Sequence, residues 1–417
     1  MRRLLPRIVS DRYGVVVKIR YVLLNAYALG GTTRTVVNQA NALCEDHDVE
    51  IASVFRHAEK PGFHIDPRVK LIPLTELRSD GTLRTDPSGG PSTRLMKKAR
   101  RFRTFLPHKH DHRFRRWDPV VDLAVLRYFW SSEDGILVTT RPGMNLLSAR
   151  MAPRRLVRVA QDHMNFGTYK PGLRAAIVRH YPKLDALTVL TEQDRKDYAQ
   201  ALGGTGLRME RIPNGIPRPQ VPPAALDAKV VVAAGRLSGH KGFDMLIDAF
   251  QVVHAKHPDW QLWMFGSGAW KKKLTDQIEQ AGLKGTAHLK GTTGHLDRQF
   301  AAASIFALSS RFEGLPMVLL ESMAAGLPAV AFDCPTGPRE VIEHGRTGLL
   351  VPAEDVAALA AGLCELIEDP ARLRAMGAAA LRGSEAYSID TVKQSWERLY
   401  GDLLEVRQVG AGRRLRS

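Results

Sequence analysis

The amino-acid sequence predicts an α/β protein built from two doubly wound, Rossmann-like domains in series. Its 417 residues exceed what one hydrophobic core usually organises, which favours two or three domains. Short β-branched runs alternate with helical segments, the pattern of βαβ units and parallel sheets. A proline-rich break at 211–223 interrupts this alternation and predicts a linker between the domains.

The first domain is predicted to contain a parallel sheet with helices between its strands. Its first strand is followed by Gly30-Gly31 and by a helix that ends near Cys44. Residues 78–93, rich in glycine, serine, threonine and proline, predict a flexible loop. The predicted strands are Tyr21–Tyr27, Val49–Phe55, Leu71–Leu74, Ile136–Thr139, Leu156–Ala160 and Leu187–Leu190.

The second domain is predicted to repeat this arrangement, followed by a terminal helix at about Ile389–Val406 that packs back on the first domain. The predicted domains are therefore 1–217, 218–386 and a C-terminal helix and basic tail, 387–417. Ligands of doubly wound folds bind beyond the carboxyl ends of the strands, so we expect a site in the cleft between the domains. The predicted strands are Lys229–Ala234, Gln261–Phe265, His288–Leu289, Ile305–Leu308, Ala329–Phe332 and Gly348–Val351.

The composition, 44% hydrophobic and 25% charged residues, is that of an ordinary globular protein. No apolar stretch approaches the roughly 20 residues that cross a bilayer, and the basic N-terminus lacks the apolar run of a secretory signal. We therefore expect a cytoplasmic protein. The three cysteines, Cys44, Cys334 and Cys364, are far apart and fit neither a disulfide framework nor a zinc site.

The net charge of +17 is concentrated in the first half of the chain. Residues 1–217 contain 37 Lys and Arg against 21 Asp and Glu, whereas the remainder contains 23 against 22. Residues 94–116, an insertion within about 75–130, contain ten basic residues and one acid. This segment is a solvated face, a contact with an anionic acceptor or with the inner face of the cell membrane, or a nucleic-acid contact. The contact residues would include Lys97, Lys98, Arg100, Arg101 and Arg103.

Two loops of the second domain bear the residues that point to chemistry. Arg236 and Lys241 lie in a glycine-containing loop after a predicted strand, where two cations can neutralise a diphosphate. Glu313 precedes a helix that begins near Pro316, and Glu321 lies inside that helix, seven residues further on. The helix start offers an anion site. A carboxylate inside the helix can accept hydrogen bonds from two hydroxyls of a ribose.

The motifs Gly235-Arg236…Lys241-Gly242, Phe312-Glu313-Gly314-Leu315-Pro316 and Glu321–Pro328 together resemble the retaining glycosyltransferases of the GT-B fold, the group 1 or family 4 type. The resemblance covers about 21–386 and is stronger in the second domain. It implies that Arg236 and Lys241 bind the diphosphate of a nucleotide sugar, Glu321 its ribose, and that Glu313 acts catalytically at the transferred sugar. The further donor contacts that it implies are Gly31, Gly266, Lys290, Gly291, Gly314, Leu315 and Pro316.

In the first domain, the resemblance implies that Gly30 approaches the acceptor and that His163 lies against the donor sugar as a second catalytic residue. Asp46-His47-Asp48 has the spacing of a metal-binding Asp-x-Asp motif, but it joins a helix to a strand away from the predicted cleft. We interpret it as a polar turn. No metal or other cofactor is expected, and the oligomeric state is not predicted.

The resemblance implies transfer of a hexose or N-acetylhexosamine, with retention of configuration, from a nucleotide sugar to a cell-envelope polymer, oligosaccharide or lipid-linked acceptor. A UDP-sugar is the expected donor. Two other classes remain open at this point. A nucleotide-sugar epimerase or hydrolase could share the fold, and a nucleic-acid-binding protein could use the basic segment, although no recognition motif accompanies it.

Overall fold

The computed structural model describes residues 16–76, 109–111 and 117–414, with side chains described as far as 408. The chain divides into two compact units. Unit 1 comprises Met1–Gly215 and Val392–Ser417, and unit 2 comprises Ile216–Thr391. The chain therefore passes between the units twice, whereas the sequence analysis placed the corresponding boundaries after 217 and after 386.

Unit 1 is built on a parallel seven-stranded sheet of order β3-β2-β1-β4-β5-β6-β7. The central strands are buried on both faces, as helix-covered parallel sheets require. Its elements are β1 (Lys18–Leu23), α1 (Gly31–Leu43), β2 (Asp48–Arg56), β3 (Lys70–Glu76), α2 (Pro119–Ser131), β4 (Ile136–Thr139), α3 (Pro142–Met151), β5 (Val157–Gln161), α4 (Pro171–His180), β6 (Ala186–Val189), α5 (Glu192–Ala201) and β7 (Arg208–Arg211).

Unit 2 contains a parallel six-stranded sheet of order β10-β9-β8-β11-β12-β13. Its elements are β8 (Val230–Ala234), α6 (Phe243–Lys256), β9 (Gln261–Phe265), α7 (Lys271–Gln280), β10 (Ala287–Gly291), α8 (Leu296–Ala301), β11 (Ile305–Leu308), α9 (Met317–Ala324), β12 (Ala329–Phe332), α10 (Pro338–Val341), β13 (Gly348–Val351), α11 (Val356–Glu368) and α12 (Pro370–Ser384). The two parallel sheets with their helices confirm the predicted α/β, doubly wound class.

Two strand predictions of unit 1 need correction. β1 ends at Leu23 rather than Tyr27, because backbone amides in the rest of the predicted strand donate to side chains. Ala26 N donates to Ser53 Oγ and Tyr27 N donates to Asn25 Oδ1. These bonds replace sheet pairing with a local turn. The edge strand β7 was not predicted, since Arg208–Arg211 contains no β-branched residue and shows no strand pattern.

The proline-rich break is ordered at the point where the chain first leaves unit 1. Thr35 Oγ1 donates to Asn214 Oδ1 at 2.9 Å, and Asn38 Nδ2 donates to the carbonyl oxygen of Gly215 at 3.0 Å. Within unit 2, Ile216 is buried and pairs as a parallel bridge with Ser388. The segment predicted as a linker is therefore held by side chains and backbone on both sides of the unit boundary.

The last helix, α13 (Ile389–Arg414), completes the core of unit 1. Its buried residues Val392, Trp396, Leu399, Tyr400 and Leu403 recur at helical spacing and form one apolar face. They pack in the same core as residues of β1 and α1. The prediction that the terminal helix packs back on the first domain is confirmed, and the helix is longer than the predicted 389–406.

Among the helices of the described residues, none combines the length and the apolar character that a bilayer crossing requires. Most of the basic segment, including Lys97, Lys98, Arg100, Arg101 and Arg103, lies outside the described residues. Its predicted contact with an anionic acceptor or membrane stays a prediction.

Candidate active site

The candidate site of unit 2 lies where the strand order of the sheet reverses. β8 pairs with β9 on one side and with β11 on the other, so the connections that follow β8 and β11 leave neighbouring strands at the same carboxyl edge. In doubly wound sheets this switch point is where ligands bind. The loop 235–242 and the loop 309–316 therefore lie side by side, and they carry the predicted cations and Glu313.

The cationic loop supplies one exposed and one engaged charge. Arg236 is exposed, and no ion-pair partner for it lies in the described part of the chain. Lys241 ends a 3-10 turn, and its Nζ lies 2.5 Å from Glu313 Oε1, with both side chains largely buried. Ser310 Oγ donates to the same carboxylate oxygen at 2.6 Å. The structure thus joins Lys241 to Glu313 and adds Ser310, which sequence reasoning missed. The roles predicted for Lys241 and Glu313 stay predictions.

The backbone of Glu313 is fixed by the segment that follows β12. Glu313 N donates to the carbonyl oxygen of Pro335, and Thr336 N donates to the carbonyl oxygen of Glu313, both at 2.9 Å. Next to this bridge, a Cβ on Gly337 would lie 1.9 Å from the carbonyl oxygen of Gly314. Only a residue without a side chain permits such an approach. Segment 333–338 therefore supports the Glu313 loop from outside its own sequence.

Arg311 connects the two loops. Its backbone N donates to the carbonyl oxygen of His240 at 2.8 Å, and its guanidinium donates to the carbonyl oxygen of Gly239. The same guanidinium pairs with Asp244, the second residue of α6, at 3.1 Å and with Glu354 at 3.2 Å. A bidentate guanidinium fixes planar geometry better than a single bond does. Arg311 therefore acts as a structural cation within the site.

The pKa values of two neighbouring groups show how charge is concentrated here. Burial, with added effects of Lys241 and Arg236, lowers the pKa of His240, and Glu313 opposes this lowering. His240 is therefore within electrostatic range of Arg236, Lys241 and Glu313. Burial and the nearby Glu313 carboxylate raise the pKa of the Cys334 thiol to about 12, so this thiol is un-ionised at neutral pH and is not poised as a nucleophile.

The helix α9 presents Glu321 one turn beyond its start. The helix was predicted to begin near Pro316. Pro316 is the N-cap, with the extended angles φ −72° and ψ 109°, and the helix begins at Met317. Leu315 and Pro316 are buried. Both carboxylate oxygens of Glu321 are shielded from solvent. Gly314, Leu315 and Pro316 thus form the rigid connection between the two predicted acids.

Two predicted glycines bring the next loop of the sheet edge against the cationic loop. Gly266 N donates to the carbonyl oxygen of Gly291 at 2.7 Å. A Cβ on Gly266, at φ +142°, would lie 1.8 Å from the carbonyl oxygen of Gly235, so the chain approaches too closely for any side chain. Lys290, a predicted donor contact, has an aromatic neighbour in the structure. Its ammonium lies 4.7 Å from the ring centre of Trp263, an interaction that engages its charge.

In unit 1, His163 is the second residue after β5. Its Nε2 is buried and has no hydrogen-bond partner in the described part of the chain. Burial lowers its pKa to about 4, so the imidazole is neutral at pH 7. The preceding Asp162 accepts hydrogen bonds from the hydroxyls of Tyr169 and Tyr198, and burial raises the pKa of Asp162 to about 6. These tyrosines hold the loop that carries His163.

The paired glycines of unit 1 border open space. Gly30 is the N-cap of α1 and Gly31 its first residue, and no side chain caps this helix start. A Cβ on either glycine would meet no atom within 4 Å, and neither has a positive φ. Packing in unit 1 therefore does not require glycine here, and an uncapped helix start is suited to bind an anion.

The Asp-x-Asp sequence lies at the opposite, amino edge of the first sheet. Asp46 pairs with Lys393 at 2.5 Å, and Asp48, the first residue of β2, pairs with Lys18 at 2.9 Å. Both carboxylates belong to ion pairs within unit 1. Their contacts agree with the interpretation as a polar turn.

Comparison with known proteins shows a family likeness in the second half of the chain. A family model described as glycosyl transferases group 1 matches residues 218–382, the part of the chain that contains both loops of the site. This part of the chain therefore resembles the group 1 family. An exopolysaccharide phosphotransferase of Streptomyces coelicolor is 35% identical over 94% of this chain, which spans 41% of that protein. An uncharacterized glycosyltransferase of Haemophilus influenzae is 26% identical over 91% of this chain and 99% of its own length.

Solved structures place the chain in the GT-B fold. TarM of S. aureus, solved with UDP, alpha-GlcNAc-glycerol and fondaparinux, has a TM-score of 0.73, with 92% of this chain and 100% of that chain covered. The sequence identity is 16%, so the similarity establishes the shared fold. The predicted GT-B architecture is confirmed.

Three residues of the candidate site were not found from the sequence. Ser310 and Arg311 lie two and three residues after the buried strand β11, and polar residues near such a strand end are a signal that could have indicated them. His240 lies between the two predicted cations, and its ring stacks on Phe312 at 5.4 Å. The contacts of Arg311 and His240 link separate loops, and sequence spacing does not encode which loops meet. Ser310 bonds Glu313 within its own loop.

Proposed function

We propose that the protein transfers a hexose or N-acetylhexosamine from a nucleotide sugar, preferably a UDP-sugar, to a polymeric, oligosaccharide or lipid-linked acceptor of the cell envelope. The transfer would retain the anomeric configuration and require no metal. The observation that carries this proposal is the convergence of Arg236, Lys241 and Glu313 at the switch point of unit 2. The Streptomyces relative, named an exopolysaccharide phosphotransferase, supports the acceptor class. The TarM complex with UDP supports the donor class.

The charges suit the reaction because its transition state separates charge. Breaking the bond between sugar and diphosphate leaves an oxocarbenium-like carbon and a diphosphate with additional negative charge. Arg236 and Lys241 would stabilise that diphosphate as it departs, and Glu313 would stabilise the positive sugar carbon. A donor diphosphate would compete with Glu313 for the Lys241 ammonium. The departing phosphate would then accept the acceptor's hydroxyl proton on the same face of the sugar, which gives retention.

Neutral His163 fits a place beside the transferred sugar. With a pKa of about 4, it adds no positive charge next to the developing oxocarbenium centre. Glu321 would accept hydrogen bonds from the ribose hydroxyls. The backbone amides at the start of α1, beside Gly30 and Gly31, would contribute to diphosphate binding. These assignments follow the resemblance. The positions of His163 after β5 and of Gly30 and Gly31 at the start of α1 support theirs, and Glu321 lies one turn inside α9.

Mutation of the charged residues tests the proposal. Glu313→Gln and Arg236→Ala should each lower transfer about 100-fold or more, with the fold intact by circular dichroism. Glu343→Gln and Arg346→Ala are matched controls, because that exposed ion pair lies elsewhere on unit 2, and both should retain activity. Full activity of either site variant would contradict the assignment.

The products separate this proposal from its rivals. Glycosyl transfer from a UDP-sugar releases UDP, whereas sugar-phosphate transfer, suggested by the name of the Streptomyces relative, would release UMP. A hydrolase would release UDP and free sugar without an acceptor, and an epimerase would release neither nucleotide. Mass spectrometry of reactions with and without acceptor, after a thermal-shift screen of nucleotide sugars, distinguishes the four outcomes.

The charge excess of the first half favours an anionic partner for the basic segment. We expect the chain to sediment with vesicles containing anionic phospholipid at low salt, because basic segments gain roughly 1 kcal/mol per cation near such surfaces. Replacing Lys97, Lys98, Arg100, Arg101 and Arg103 by glutamine should abolish sedimentation. Absence of vesicle binding at low salt would exclude a membrane contact of the basic segment. Tight binding to RNA or DNA without nucleotide-sugar binding would favour the nucleic-acid alternative.

A further inference from the structure

Three side chains that commonly bind transition metals come together at the ends of two packed helices in unit 2. His257 is the C-cap of α6, and Cys364 and Glu368 lie four residues apart in the last turns of α11. One ligand atom from each residue lies within 4.8 Å of the other two, and His257 Nε2 lies 3.0 Å from Glu368 Oε1.

These separations are close to those of a tetrahedral metal site. With zinc at about 2.0–2.1 Å from nitrogen or oxygen and 2.3 Å from sulfur, neighbouring ligand atoms lie about 3.3–3.6 Å apart. The limit of 4.8 Å on the present separations exceeds that spacing by about 1.2 Å, a difference that changes of side-chain rotamer can supply. A thiolate, an imidazole and a carboxylate form a ligand set that suits Zn²⁺ better than Mg²⁺ or Ca²⁺.

The surroundings favour a cation. α6 and α11 both end here, and each helix C-terminus carries partial negative charge from unsatisfied carbonyl groups. His257 is held in place by its own backbone, because His257 N donates to the carbonyl oxygen of Val253 at 2.8 Å and Trp260 N donates to that of His257 at 3.1 Å. Cys364 is buried against the core of unit 2, so binding would release its thiol proton to solvent.

The cluster is separate from the candidate active site. α6 begins after the loop that carries Arg236 and Lys241 and runs back toward the start of β9, so its C-terminus lies at the amino edge of the sheet. From these observations, we propose that His257, Cys364 and Glu368 bind one Zn²⁺ ion, with water as a fourth ligand. The ion would fasten the end of α6 to the end of α11, a structural role independent of glycosyl transfer.

This proposal departs from the sequence expectation of no zinc site. That expectation rested on cysteine spacing, because zinc motifs usually place two ligands within a few residues of each other on a short loop. Here the His257 ligand is more than 100 residues from Cys364, and only the packing of α6 on α11 brings them together.

Cobalt titration tests the site on the full chain. The metal-free protein should bind one equivalent of Co²⁺ with a thiolate-to-cobalt absorption band, Zn²⁺ should displace it, and Zn²⁺ should raise the melting temperature. Cys364→Ser should abolish the band, and His257→Gln and Glu368→Gln should each weaken binding about 10-fold or more. Cys44→Ser, which removes another buried free cysteine, is the matched control and should leave the band unchanged.

Two results would overturn the proposal. The wild-type chain could show no thiolate band at one equivalent of Co²⁺, or Cys364→Ser could bind Co²⁺ and Zn²⁺ as tightly as the wild type. In either case the three side chains would form only an ion pair beside a buried thiol. Glycosyl transfer need not be measured, so failure here leaves the proposed function untouched.

Discussion

At the scale of single residues, the carboxylate of Glu313 is held from two sides. Lys241 provides a charge and Ser310 a hydroxyl to the same oxygen, at 2.5 and 2.6 Å. Charge-assisted hydrogen bonds of this length orient a side chain strongly. Ser310 is buried, so its hydroxyl has no solvent to exchange with. The orientation of Glu313 therefore depends on a residue that does not itself carry charge.

Removal of the Ser310 hydroxyl tests this dependence. Ser310→Ala should lower kcat about 10-fold, since a hydrogen bond to a charged group contributes about 1.5–3 kcal/mol, while KM for the donor changes little. Ser310→Thr should restore most of the rate. Ser309→Ala is the control, because that neighbouring hydroxyl donates to the carbonyl oxygen of Lys241 instead. Equal losses in both alanine variants would count against a specific role in orienting the carboxylate.

The depressed pKa of His163 links stability to pH. Its folded value is about 4, below the ordinary 6.5, so its contribution to stability is complete above pH 6.5 and is lost as pH falls through 4. Between pH 7 and pH 4, His163→Asn should therefore lose about 2–3 kcal/mol less unfolding free energy than the wild type. Chemical denaturation at both pH values measures the difference.

The control for this pH effect is His344→Asn, which changes an exposed histidine of unit 2. It should follow the wild-type pH dependence. If His163→Asn follows it as well, burial does not disfavour the charged form of His163.

At the scale of elements, the segment between β12 and α10 has the function of supporting another loop. Gly337→Ala should destabilise unit 2 by about 2 kcal/mol or more, because the added methyl would overlap the carbonyl oxygen of Gly314, and transfer should fall with it as Glu313 moves. Gly294→Ala is a matched control, since its Cβ would meet nothing within 4 Å. Urea unfolding and initial rates of both variants test the prediction, which similar losses in the two would contradict.

The elements show which features the sequence can predict and which it cannot. Ile136–Thr139, Gln261–Phe265, Ile305–Leu308, Ala329–Phe332 and Gly348–Val351 were predicted residue for residue, because buried parallel strands are continuous apolar runs between breaks. β7 was missed because its pairing with β6, rather than its own residues, makes it a strand.

The site was predicted in part for the same reason. Lys241 and Glu313 could be placed together because both follow strands of one sheet edge and belong to a recognisable motif. The approach of the Lys290 ammonium to Trp263 could not be predicted from sequence, because it depends on how β9 and β10 lie side by side. The donor contact predicted for Lys290 stays a prediction. Contacts between loops are set by packing, and local sequence does not record them.

At the scale of the whole molecule, unit 1 is discontinuous. Trp396 is fully buried in the core that contains β1, although it lies in the last helix. Trp396→Ala should destabilise unit 1 by about 3–5 kcal/mol. Hydrogen exchange should then accelerate in β1 and β2 and stay unchanged in β8 and β12. Val406→Ala, at a side chain 70% exposed, is the control and should change neither stability nor hydrogen exchange. If Trp396→Ala accelerated exchange evenly in both sheets, Trp396 would not act on unit 1 alone.

The return of α13 to unit 1 has a consequence for the growing chain on the ribosome. Every strand of unit 2 is synthesised before Trp396 and its neighbours on the last helix exist. Until then the sheet of unit 1 leaves an apolar face open to water, while unit 2 already has all of its own strands. We therefore expect the nascent protein to complete unit 2 before unit 1, because the core of unit 1 closes only once α13 has been made.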